Sequence, residues 1–291
     1  MKELQYHRPV TVEDAVGILQ QGDGRALSGG TDLIAQMREG RRSVRHVVDL
    51  KHIPELTSLT RSSDGGWRVG AAMPIGTLGR NEAFATDQGP LLASARLIGS
   101  LQIQNRASLG GNICNAAPSA DAAPLLICLG AEAEIAGTSG RRVMQVGQVA
   151  TGPGRTSLGP AEILVAIRLP PLEQKRSRGA YLRFTPRREM DIAIAGAAAF
   201  ITLDDRHRIR QARITLASVA PVPLVAERAA RMLIGEQPSA ALFKEAGAAA
   251  AAEARPISDL RGSAGYRRTL VEVLTKRALG ECARALGVGI R

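Results

Sequence analysis

Apolar positions in the first part of the chain fall into short runs broken by glycine-rich turns. In the last part the strand-like runs come first and the helix-like runs after them. Val12, Ala15, Val16 and Leu19 recur at helical spacing behind Thr11, a capping residue, with Gly22 beyond; the pattern predicts a helix over 12–19. Residues 25–27 read as a short strand, and Ser28-Gly29-Gly30-Thr31-Asp32 as a glycine turn. Leu33, Ile34 and Met37 then face one side of a helix. Further strands are expected at 46–50, at 67–72 and around Ala133, Arg142 and Leu164, with Trp67 in the core. Helices are expected after Pro74, over 90–98 and over 121–129.

Pro170-Pro171 followed by the polar, basic run 172–177 marks a boundary, giving domains over 1–173 and 174–291. Beyond it, 181–184, 192–203 and 209–219 read as three strands, with a hairpin at Asp204-Asp205-Arg206. Helices follow near 223–234, 239–253 and 263–281. Strands first and helices after imply a small α+β domain: a three-stranded antiparallel sheet with helices on one face.

Composition narrows the function classes. The 291 residues are 45% hydrophobic, enough for a large core, and no apolar run approaches the roughly 20 residues that cross a bilayer. Residues 1–6 show no export signal, so a cytoplasmic location is expected. Cys114, Cys128 and Cys282 are too few for a disulfide framework or a metal site. Without Cys-x-x-Cys the chain cannot hold a four-thiolate iron–sulfur cluster. The formal charge is +11, yet the basic residues are dispersed and only 3% of residues are aromatic, which argues against nucleic-acid binding. The charge suits an anionic ligand or an acidic partner.

Two stretches carry chemistry. In Leu27-Ser28-Gly29-Gly30-Thr31-Asp32-Leu33, glycines allow close backbone approach, a following helix start offers unpaired N–H groups, and Thr31 adds a hydroxyl. An anion site and a simple capped turn both fit. A Rossmann fingerprint does not, because Gly22-Asp23-Gly24 precedes its strand. The second stretch, 99–121, is rich in Gly, Ser, Asn and Ala, too irregular for a regular element and too long for an empty loop. Here Gly110-Gly111 would expose amides, Ser108 and Asn112 would supply hydrogen bonds, and Asp121 would accept from a sugar-type hydroxyl or cap the next helix. Cys114 lacks a second cysteine or a histidine partner and is expected to be a packed side chain.

Together these stretches resemble the FAD-binding subunits of the molybdenum hydroxylases, the xanthine dehydrogenase and aerobic carbon monoxide dehydrogenase type. The likeness lies in Ser28-Gly29-Gly30-Thr31-Asp32-Leu33 and in Gln102-Ile103-Gln104-Asn105-Arg106-Ala107-Ser108-Leu109-Gly110-Gly111-Asn112-Ile113 with Pro118-Ser119-Ala120-Asp121. It continues through Tyr181-Leu182-Arg183-Phe184-Thr185-Pro186-Arg187-Arg188-Glu189-Met190-Asp191-Ile192-Ala193, Arg261-Gly262-Ser263-Ala264-Gly265-Tyr266-Arg267-Arg268 and Arg277-Ala278-Leu279, so it spans nearly the whole chain.

The resemblance implies an α+β fold: a two-subdomain FAD-binding domain of the vanillyl-alcohol-oxidase type, then a small α+β C-terminal domain. It implies an FAD-dependent oxidoreductase subunit in a hetero-oligomer. A small subunit would carry [2Fe–2S] clusters and a large one the molybdenum cofactor. By position it places the diphosphate loop on 27–33, the second loop on Ser108, Gly111 and Asn112, a ribityl-binding acid at Asp121 and apolar contacts at Ile98 and Leu164. Arg183 stands where a relative has lysine near the flavin, and the change alters geometry while keeping charge. No histidine matches a covalent flavin link, so noncovalent FAD is expected, and no residue of this chain is assigned a catalytic or metal-binding role. Arg187 and Arg188 fit a surface ion-pair network or a docking face. A free-standing flavin oxidase of the same fold is the alternative, distinguished by flavin bleaching with substrate on this chain alone.

Overall fold

The computed structural model describes residues 4–187 and 189–290; Arg188 and the first three residues, which entered the expectations above, lie outside. The chain forms two compact units, each drawn from three stretches. Met1–Ala85, Ser100–Ala116 and Ala131–Pro171 make the first; Thr86–Gly99, Ala117–Gly130 and Leu172–Arg291 make the second. Among the described residues no helix is long and apolar enough to cross a membrane.

In the first unit β1 (Gln5–His7), β2 (Gly24–Leu27) and β3 (His46–Asp49) form a parallel sheet in the order β1-β3-β2. A parallel arrangement needs a crossover, and the helix Val12–Gln20 links β1 to β2. Thr11 caps it, the hydroxyl accepting the Asp14 N–H at 3.1 Å. Val12, Ala15, Val16 and Leu19 are buried as their spacing predicts, against Val48, Leu50, Ile53 and Leu56 and against Ala136, Ile163 and Val165. The last three come from a second, antiparallel sheet. It contains β4 (Leu59–Arg61), β5 (Trp67–Gly70), β6 (Glu132–Gly137), β7 (Gly140–Gln145) and, after the small ribbon β8 (Ala150–Gly152) and β9 (Arg155–Thr156), β10 (Ile163–Leu169). Its order is β4-β5-β10-β6-β7. Trp67 is buried edge-on to Phe84, ring centroids 5.2 Å apart.

Glu134 on β6 is buried among arginines of the same sheet, Arg168 on the adjacent β10 and Arg68 on β5 beyond it. Arg68 donates to it at 2.8 and 3.0 Å, and Arg168 donates as well. Burial alone would raise the carboxyl, but the two guanidiniums outweigh it and hold Glu134 below its usual range.

The stretch expected to be irregular holds two short helices, Leu101–Gln104 and Leu109–Asn115. Each begins at a serine, Ser100 or Ser108, and Ala116 ends the second in the left-handed conformation at φ 49°. One or two turns leave too few residues for an amphipathic period to show.

In the second unit β11 (Ser177–Phe184), β12 (Ala195–Leu203), β13 (Ile209–Ala217) and β14 (Leu224–Val225) form an antiparallel sheet in that order. The expected three strands gain a fourth, whose two residues leave no alternation to read. At the hairpin Asp204 Oδ1 accepts the N–H groups of Arg206 and Arg208, both at 2.8 Å.

Every residue of β12 is buried. Ala195, Ala197, Ala199, Ile201 and Leu203 pack with Phe243, Ala246, Val271, Leu274 and Ala278 from the helices Ala240–Glu253 and Ala264–Ala285. The sheet is also covered by helices from earlier in the chain: Ala123–Leu129 packs on β11, β12 and β13, and Gly89–Ala95 on β11. Leu125 reaches Gly179, which neighbours Phe200. Helices were expected on one face only; a strand buried throughout requires both faces covered. Nothing in an apolar helix names the sheet that receives it. Arg187 pairs with Asp191 across its own loop, at 3.5 Å.

Candidate functional site

The strand β2 ends at Leu27, and the chain turns through Ser28–Asp32 into the helix Leu33–Arg38. Leu27 is buried with Val44 and Val47, and Leu33 and Met37 pack on them, so the turn is clamped by apolar contacts on either side. Gly29 lies against the backbone of Arg106 and Ala107, where no side chain fits. Gly30 has φ +76°, a conformation costly for any residue with a Cβ. The N–H groups of Gly29, Gly30 and Thr31 have no acceptor among the described residues. Asp32 is exposed at the helix start and its side chain makes no capping bond.

Ser108 joins this turn to the second. Its buried hydroxyl lies 2.8 Å from Ser28 Oγ and accepts the Gly111 N–H at 3.0 Å, capping the helix Leu109–Asn115. Ile75 N–H holds the preceding Ala107 carbonyl at 2.9 Å. Gly110 seats the helix on Ala71, whereas a Cβ at Gly111 would meet only Ser108 Oγ at 3.2 Å and Ser28 Cβ at 3.9 Å. The two adjacent glycines thus do different work: Gly110 seats the helix on Ala71, and Gly111 keeps a side chain off the Ser108 hydroxyl beside Ser28. Asn112 Oδ1 is buried and accepts no hydrogen bond among the described residues. At their far ends the two helices are tied by Gln36 Nε2 donating to Asn115 Oδ1 at 3.3 Å. Burial pushes the Cys114 thiol up to about 12, so it is a packed thiol and no ready nucleophile. Leu164 is buried in β10 opposite Ile135, beside a register shift.

One residue of this cluster left no signal in the sequence. Lys51, just past β3, donates from Nζ to the Ser28 carbonyl at 2.7 Å and to Asp49 Oδ1 at 2.5 Å. Its neighbourhood is set by the pairing of Leu27 with Asp49 across parallel strands, which no local spacing reveals.

In the second unit Asp121 does not cap the helix that follows; Ala122 occupies the cap position and makes no side-chain bond. Its carboxylate instead accepts from Tyr181 Oη at 3.0 Å and from Arg183 at 2.5 Å. Tyr181 and Arg183 share one face of β11 by period two, and Gly196 opposite Arg183 leaves room for the tyrosine hydroxyl. Burial pushes Asp121 up to about 6, with Arg183 and Tyr181 pulling against it. Ile98 is half-buried in this unit. Tyr181, like Lys51, was not singled out from the sequence; its i, i+2 spacing to Arg183 was the available cue.

Comparison with known proteins gives the family. Residues 2–172 match the family model described as FAD binding domain in molybdopterin dehydrogenase, and 180–282 match CO dehydrogenase flavoprotein C-terminal domain. The putative xanthine dehydrogenase FAD-binding subunit of Escherichia coli K12 is 31% identical, over 97% of both chains. The carbon monoxide dehydrogenase medium chain of Afipia carboxidovorans is 33% identical, over 95% of both. Among solved structures, a carbon monoxide dehydrogenase chain of Hydrogenophaga pseudoflava superposes with TM-score 0.92 at 29% identity, covering 97% of this chain and 98% of that one. A chain of quinoline 2-oxidoreductase from Pseudomonas putida 86 gives 0.91 at 25% identity, covering 98% and 99%. The chain belongs to the family of FAD-binding subunits of the molybdenum hydroxylases.

Proposed function

We propose that this chain is the electron-transferring flavin subunit of a molybdenum hydroxylase. It would take electrons from [2Fe–2S] clusters on a small partner subunit and pass them to a final acceptor, while a large partner oxidises substrate at the molybdenum cofactor. The observation that carries the reading is the meeting of the two glycine turns at Ser28 and Ser108, 2.8 Å apart. Around that contact the first unit fits the diphosphate of FAD. Unpartnered amides at Gly29, Gly30 and Thr31 suit an anion, Asn112 Oδ1 is an acceptor awaiting a donor, and Gly111 puts no side chain against the Ser28–Ser108 pair. Leu27 and Leu33 would hold the turn through their packing, Asp32 and Gly110 through backbone position, and Leu164 would supply apolar surface. In the second unit Ile98, Asp121 and Arg183 are proposed as flavin contacts from the family positions.

Bound FAD would supply one- and two-electron redox chemistry; the protein binds, orients and tunes it. The division at 173/174 is proposed as one between sequence modules, supported by family models that end at 172 and begin at 180. A cytoplasmic location belongs to the same proposal.

Purification of the chain together with its neighbouring gene products tests the reading. The complex is expected to contain flavin, iron and molybdenum, and substrate is expected to reduce the flavin only when all subunits are present. Substrate-dependent bleaching by this chain alone would favour the free-standing oxidase. A chain that is yellow yet never associates would overturn the subunit assignment.

A further inference from the structure

Ser28 is fixed at both of its polar ends. Its hydroxyl meets Ser108, and its carbonyl accepts from Lys51 Nζ at 2.7 Å. Lys51 is itself held by Asp49, which accepts the lysine's own N–H at 3.0 Å and its ammonium at 2.5 Å. Tyr6 closes the series from β1 by donating its hydroxyl to Asp49 Oδ2. Asp49 is almost fully buried; burial would raise its carboxyl, but the Lys51 and Tyr6 bonds prevail and keep it below its usual range, hence ionised. The series runs along the carboxyl-terminal ends of the parallel strands, where ligands of such sheets sit.

We infer that Lys51 is a positioning residue for the cofactor diphosphate, acting through the Ser28–Gly29 peptide; this rests on the FAD reading above. In a planar trans peptide the C=O and the following N–H point in opposite directions. Drawing the Ser28 oxygen onto the Lys51 ammonium therefore aims the Gly29 N–H the other way, and that N–H has no acceptor among the described residues. With the serine hydroxyl also held, the peptide plane cannot rotate. The effect is one of orientation more than of charge, because Asp49 neutralises the ammonium at 2.5 Å and two of its three protons are already donated.

The test is titration of the full-length apoprotein with FAD and, separately, with riboflavin, which lacks the diphosphate, followed by flavin fluorescence. Lys51→Met is expected to raise the Kd for FAD about tenfold, the scale of one lost charge-assisted bond. Riboflavin binding is expected to change less than about twofold, and Lys51→Arg to recover part of the FAD loss. Because Lys51→Met strands a buried carboxylate, the double variant Asp49→Asn/Lys51→Met is titrated as well. It is expected to show the same selective FAD loss with a restored melting temperature. Equal losses for FAD and riboflavin, or wild-type FAD affinity in both variants, overturn the positioning role. Failure of the wild-type chain to bind FAD overturns the cofactor reading instead.

Discussion

Gly29 and Arg106 are pressed together so closely that a Cβ at position 29 would lie 2.1 Å from the Arg106 carbonyl oxygen and 2.8 Å from the Ala107 nitrogen. Both obstacles are backbone, so neither can swing aside. Gly29→Ala must push the two glycine turns apart, breaking the Ser28–Ser108 contact. The expected result is a loss of about 1–3 kcal/mol in stability, the usual cost of overpacking, together with loss of bound flavin. Thermal melting and the visible absorbance of the purified protein check both halves.

Asn112 predicts the opposite pairing of effects. Its Oδ1 is buried without a partner, and removing an unsatisfied buried acceptor is close to neutral. Asn112→Ala is expected to leave the apoprotein within about 1 kcal/mol of wild type while weakening FAD roughly tenfold. A large drop in apoprotein melting with unchanged FAD affinity would show that the side chain serves only the fold.

Asp121 gives a pH signature. Its folded pKa of about 6 lies above the ordinary 3.8, so its contribution to stability is complete below about pH 4 and fades as pH rises through 6. Asp121→Asn cannot titrate. From pH 4 to pH 7.5 the wild type is therefore expected to lose on the order of 2 kcal/mol relative to the variant. Urea unfolding of both proteins across that range reads the difference directly; a constant gap would sink the assignment.

Glu134 behaves with the reverse sign. Its pKa is depressed by Arg68 and Arg168, so its contribution is present above the ordinary carboxylate range and is lost as pH falls through the folded value. Arg168 is half exposed, which weakens its share. Glu134→Gln is expected to cost about 1–2 kcal/mol at pH 7 and progressively less below pH 4, measured by denaturant unfolding.

The sequence was most informative where the physics is local. The helix behind Thr11, the strand, turn and helix through Ser28, the strands β12 and β13 and the second half of β11 follow from periodicity and turn chemistry, while β11 begins four residues earlier, at Ser177, inside the run that reads as a boundary. The two helices inside 99–121 were missed because each is too short to display a period, although Ser108 was an available cap. That Ser28 meets Ser108 is a contact across 80 positions, and only the family resemblance hinted at it. Asp121 does not cap the helix after it, and that Tyr181 and Arg183 of β11 engage its carboxylate is a relation that tertiary packing alone creates. Lys51 depends on which strands lie side by side, and that is decided by the sheet as a whole.

The helices Gly89–Ala95 and Ala123–Leu129, which lie against the second unit's sheet, precede every strand of that sheet in the chain. During synthesis Leu91, Leu92, Leu125 and Leu126, all buried in the finished protein, emerge long before β11 and β12 exist to receive them. Nascent chains of this subunit therefore carry greasy surface through a large part of translation, an invitation to chaperones and to aggregation alike. A gene cut between the two family-model regions would make that state permanent, so a workable split must carry these two helices along with the later half.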